Sequence, residues 1–148
     1  MRRHLHRGER RGQTLVEFAL ILPIFILLLV GIVDFGRAIY AYNTLSNASR
    51  EAVRIAIVDQ NCTHIVDEAI DHAVSLGLST GDVEVEFASA DLSTVTACNN
   101  TEQSLGRVAI VTTNYSYTAA TPIIGNLVGV INMQAVTRQP VEWGNVAP

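Results

Sequence analysis

The chain contains no lysine at all, and every one of its formal positive side chains is an arginine. Charge of any sign is scarce, at 16% of residues, and from Phe18 to Val33 there is none. Such a run excludes an ordinary surface helix, because a helix apolar all round has no face to give to water. Only two cysteines are present, too few for a disulfide-rich scaffold or a cysteine-only zinc site. No HExxH, CxxC or glycine-rich phosphate loop before a helix occurs, and no serine stands in an elbow motif. His4 and His6 lie in the basic head, while His64 and His72 stand two turns apart without further ligands. The acids Asp67, Glu68 and Asp71 read as a solvated helix face rather than a cation site. N-x-S/T patterns at Asn47, Asn61, Asn99 and Asn114 are given no function, because so short a pattern recurs by chance. The expectation is therefore a protein that is not an enzyme and needs no cofactor or metal.

What is present is an asymmetry. Arg2, Arg3, Arg7, Arg10 and Arg11 precede Gly12, opposed only by Glu9. Beyond Gly12, five arginines face thirteen acids, a net of −8. A basic head and an acidic body on either side of an apolar run is a topology signal. Arginines beside a span stay on the cytoplasmic side. A nucleic-acid-binding arm is the competing reading; it fails because the arginines abut an apolar segment and carry no interleaved aromatics.

The segment from Thr14 to Val33 is close to the ~20 residues that cross a hydrocarbon core. A cleaved secretory signal would be followed by a small-x-small site; GIVDFGRAIYAY shows no clear A-x-A pattern, and Tyr40 and Tyr42 crowd the place where one would fall. The expectation is a single-pass anchor in the cytoplasmic (inner) membrane, N-terminus inside, with residues 13–34 as the span. Pro23 removes one helical hydrogen bond, so a kink is expected there. After Asp34, residues Phe35, Ala38, Ile39, Tyr42, Leu45, Ser49, Ala52, Val53, Ala56 and Ile57 keep helical spacing. One helix is thus expected from about 14 to 58, with a membrane half and an amphipathic half.

Residues 35–148 are expected to form an extracytoplasmic α+β domain. Thr63 is the expected N-cap of a second main helix ending at Gly77. VEVEF, Val83 to Phe87, alternates as a half-buried strand does. Residues 91–104 read as a loop, residues 107–119 as a second strand, and residues 131–141 as a third, stopped by Pro140. Thr121 and Pro122 read as N-cap and first residue of a short helix closed by Gly129. The tail after Trp143 is expected to be loose. So small an antiparallel sheet needs a helix across one face, and the amphipathic half of the long helix is expected to supply it. Cys62 and Cys98 lie on the side of the span away from the arginines, where a disulfide is expected; the alternative is two buried thiols.

Gly12 and Glu17 are the informative residues. A carboxylate at the centre of a membrane helix costs roughly 2.5–3.5 kcal/mol, and less near the edge, where Glu17 stands. Reaching the headgroups explains it without any function. A cut after Gly12 would explain it further. Gln13 would then carry a new positive α-amino group, and Glu17 would be the fifth residue of the processed chain. The amine of one subunit would pair with Glu17 of another, offsetting the desolvation of both charges.

RRGQTLVEFALILPIFILLLVGIVDFGRAIYAYNTLSNASREAVRIA resembles the N-terminal region of TadE-like proteins. These are minor pilins, or pseudopilins, of tight-adherence (Flp) pilus systems. Gly12, Glu17, Phe18 and Pro23 match the family's pattern of leader glycine, four residues, Glu, aromatic and proline-containing apolar helix. TPIIGNLVGVINMQAVTRQPVEW resembles the family's ending more loosely, and residues 60–106 match no motif. The resemblance implies a pilin-like fold and removal of residues 1–12, a basic leader, by a prepilin peptidase acting between Gly12 and Gln13. It implies membrane lipid, sister minor pilins, the major Flp pilin and the pilus assembly platform as partners, and no nucleic acid. The competing reading is an uncleaved single-pass protein whose outer domain binds a ligand or cell-surface component.

Overall fold

The computed structural model describes residues 9–100 and 106–142. The first part of the expected leader, the end of the expected loop and the tail from Trp143 lie outside them. The element order is α1 (Glu9–Ala56), α2 (Cys62–Asp71), β1 (Val83–Ala88), β2 (Val95–Ala97), β3 (Val108–Thr118), α3 (Pro122–Val128) and β4 (Val130–Pro140). Two 3-10 turns, Val74–Leu76 and Thr80–Asp82, join α2 to β1. The architecture is α+β, a long helix against a small antiparallel sheet.

The 48 residues of α1 make a rod of about 72 Å, at ~1.5 Å per residue. It passes through Pro23 without interruption. Among the described residues it is the one helix long and apolar enough to cross a membrane, and no residue of its most apolar stretch is buried.

The outer half of α1 lies on the sheet. Leu45, Ala48, Ser49, Ala52, Val53 and Ala56 are buried there, as the helical spacing predicts. Nearer the membrane the stripe departs from expectation. Phe35, Ile39 and Tyr42 face outward, whereas Asp34 and Ala41 are buried. Hydrophobicity is overruled at these positions because β3 runs down this side of the helix and brings its own polar partners.

The sheet order is β2-β1-β3-β4, all antiparallel. Four strands replace the expected three, since residues 95–97 of the expected loop pair with β1 in the register Glu86↔Ala97. β3 and β4 pair along their whole length, from Val108↔Pro140 to Thr118↔Val130. Placing Pro140 at the end of an edge strand spares the sheet the missing N–H.

α2 begins two residues earlier than expected. Asn61, not Thr63, is its N-cap, its side chain accepting from the N–H groups of Thr63 and His64. The helix itself ends at Asp71; Gly77, with φ of +66°, closes the following 3-10 turn instead. One core cluster joins Ala52, Val53 and Ala56 of α1 to Ile65 and Ala69 of α2, Val85 and Phe87 of β1, and Val111 of β3. A second, nearer the membrane, joins Leu45 and Ala48 to Ala73, Leu78 and Ala135. Alanines dominate the helix side, so the sheet approaches α1 closely.

Candidate functional site

The residues of the expected processing motif lie on the unburied part of α1. Gly12 stands within the helix, and a Cβ added there would meet nothing within 4 Å. From the next residue, Gln13 Nε2 donates to Glu17 Oε1 at 3.3 Å. The spacing of four residues puts both side chains on one helix face. Glu17 and Phe18 are exposed, and no part of the α+β head covers them. Gly12, Gln13, Glu17, Phe18 and Pro23 are therefore presented together along one bare helix.

Cys62 and Cys98 are bonded, with Cα atoms 5.8 Å apart. The bond lies at the far end of the head, just beyond Ala56. That is about 65 Å along the helix from Gly12, at ~1.5 Å per residue. It anchors the β2 strand to the start of α2 and takes no part in the motif.

The second feature of the site was not legible as such in the sequence. Asp34 marks the end of the apolar run, but it is only 5% exposed. Its carboxylate accepts from the N–H of Ala120 at 3.0 Å, the N–H of Thr121 at 3.3 Å and the hydroxyl of Thr121. Its backbone carbonyl accepts from the Tyr117 hydroxyl at 2.8 Å, and Arg37 lies 3.5 Å from the carboxylate. Thr121 precedes α3 as expected, but its side chain makes no capping bond; the hydroxyl goes to Asp34. The available signal was a lone acid at the end of an apolar run, which reads equally well as a simple terminator.

Two further polar contacts continue the line. The buried Thr113 hydroxyl donates to the Leu45 carbonyl at 3.2 Å. Ser49 and Thr137 share a hydrogen bond of 2.8 Å. β3 thus descends α1 as its numbers rise, with Thr113 at the level of Leu45 and Tyr117 at the level of Asp34. Buried polar groups need such partners, and no buried side-chain donor or acceptor among the described residues lacks one.

Among the described residues no group of three His, Cys, Asp or Glu side chains gathers where a metal would sit.

An α+β head fastened along a single bare apolar helix is the build of a membrane-anchored, pilin-like protein. Residues 12–54, which cover the motif, the span and the helix face under the sheet, match the family model of TadE-like proteins. Over that segment, 43 of the 148 residues, the chain is similar to TadE-like proteins. No curated protein and no solved structure matches the chain.

Proposed function

We propose that the chain is a precursor cut between Gly12 and Gln13 by a prepilin peptidase. The product is a minor pilin of a tight-adherence pilus, held in the cytoplasmic membrane by α1 with its head outside. The observation that carries this reading is the bare presentation of Gly12, Gln13, Glu17 and Phe18 on one helix within the TadE-like segment. Glycine inside a helix costs about 1 kcal/mol relative to alanine, and no neighbour in this fold requires it at position 12. A peptidase that reads the glycine accounts for it.

Two independent observations support the orientation. Five arginines precede the span, and basic flanks stay in the cytoplasm. The head carries a disulfide, which persists in oxidising compartments. The protein acts by assembly and not by catalysis. Its partners are lipid, the peptidase, sister minor pilins, the major pilin and the assembly platform. Within a filament or an initiating complex, the new α-amino group at Gln13 of one subunit pairs with Glu17 of a neighbour and fixes their axial register.

The test is mass spectrometry of the protein's N-terminus after co-expression with a prepilin peptidase. A chain beginning at Gln13 is expected; a chain retaining its leader refutes the reading. Glu17→Ala is expected to be cut but to lose co-purification with partner pilins. Unimpaired assembly of that variant would remove the carboxylate from the mechanism.

A further inference from the structure

Between Arg107 and Arg138 the chain runs for 30 residues without one Asp, Glu, Lys, Arg or His. β3 carries this stretch down α1 to the level of Asp34, α3 turns it, and β4 returns it to the head. The turn lies on the membrane side of Asp34. Ile124 Cδ1 is 3.8 Å from where a Cβ on Gly31 would stand. Gly31 belongs to the apolar run, about 5 Å below Asp34 at ~1.5 Å per residue. Thr121 and Pro122 line an apolar recess of about 390 Å³ with Leu22, Pro23, Ile26, Leu27 and Val30.

The outer surface of this turn is also apolar. Leu127 is 85% exposed, and Val128, Val130 and Ile131 are exposed beside it. The one polar side chain in α3 is the uncharged amide of Asn126. We propose that α3 is a second membrane contact, with Leu127 and Val128 seated among lipid acyl chains of the outer leaflet. The occupant is lipid because this surface is continuous with the bare, lipid-facing side of α1 and lies at the same level. The depth agrees with helices that lie in the interface, which bury their apolar faces roughly 5–10 Å.

The backbone is arranged for such a setting. In lipid every N–H must find a partner within the protein. Asp34 takes the N–H groups of Ala120 and Thr121 where the chain descends, and Pro122 has none to satisfy. The head is thereby held against the bilayer at two points, the span and the α3 tip. The inference rests on α1 lying in a membrane and is independent of cleavage at Gly12.

Because the native cysteines are bonded to each other, single thiols can be introduced and labelled. Leu127→Cys, Ile26→Cys and Thr80→Cys variants of the full chain would carry an environment-sensitive fluorophore. They would be reconstituted in phosphatidylethanolamine–phosphatidylglycerol vesicles containing doxyl-labelled lipid. Loss of fluorescence at Leu127 comparable to that at Ile26 is expected, with none at Thr80 on the head. A Leu127 label no more quenched than Thr80, with Ile26 quenched, overturns the proposal and leaves the anchor intact. Self-quenching between labelled copies in place of lipid quenching also overturns it, in favour of a contact with a second copy. An unquenched Ile26 would defeat the anchor and the proposal together. Val128→Cys repeats the measurement at a second exposed position.

Discussion

Opening the bond between Cys62 and Cys98 should weaken the head while leaving it folded. The two residues are separated by 36 positions. In the chain-entropy account, closing a loop of that length restrains the unfolded chain by about 4 kcal/mol. The folded ends have other holds. The Cys62 N–H donates to Asn100 Oδ1 at 2.8 Å, and the Cys98 N–H donates to the Val85 carbonyl at 2.9 Å. Reduction removes neither, so native geometry should survive and the loss should arise in the unfolded state. For a head of this size each kcal/mol moves the melting temperature by roughly 4–8 °C. A fall on the order of 15–30 °C is therefore expected on reduction, and in the Cys62→Ala/Cys98→Ala double variant. The assay is thermal and denaturant unfolding of the full chain in detergent micelles. It is followed by the near-ultraviolet signal of the head's tyrosines, because the span stays helical throughout. A loss below about 1 kcal/mol would refute the loop-closure argument. Early loss of amide protection in α2, before global unfolding, would refute the claim that the bond acts through the unfolded chain.

Three other perturbations address other parts of the fold. Leu45 is fully buried between α1 and the sheet, so Leu45→Ala should cost about 2–5 kcal/mol in denaturant unfolding; a loss well below that range would show that the helix–sheet contact collapses to fill the space. Asp34→Asn should speed hydrogen exchange at the Ala120 and Thr121 amides while the upper core keeps its protection, and unchanged exchange would deny Asp34 its role. Acidification should destabilise the head in a defined window. His64 and the Asn61 N–H hold Asp59 below the usual carboxylate range, Ser79 does the same for Asp82, and Ser89 and Ser93 bring Asp91 to about 2. A carboxylate whose pKa is lower folded than unfolded contributes above its unfolded value, near ~3.9, and that contribution is lost as pH falls through the folded value. The denaturation midpoint should therefore drop from about pH 4 toward pH 2, and a flat profile there would refute these pairings.

Much of this molecule is legible in its sequence because long regular patterns dominate it. The uninterrupted apolar run, the alternation of VEVEF and the β-branched stretch before Thr118 each specify their element locally. The failures share a cause. Residues 95–97 are exposed and too short to alternate, so only their pairing with β1 makes them a strand. Asn61 and Thr63 are both competent caps, and the chain's path past Asp59 decides between them. Along α1, Asp34 and Ala41 are buried in place of Phe35 and Tyr42 because β3 approaches from that side with Tyr117. No local pattern carries information about a strand some 80 residues away. The motif at Gly12 and Glu17 was visible for the opposite reason, since nothing in the fold covers it.

The fastening of the head at Asp34, Leu45 and Ser49 has a mechanical meaning. α1 is one continuous helix through its bare half and its covered half, and the three polar contacts tie β3 and β4 to the same rod. A turn or tilt imposed on the bare half is passed along the helix to the head. With its bare half in a bilayer, such a rod would turn small displacements of the span into larger ones at the far end of the head, as a lever does about its fulcrum.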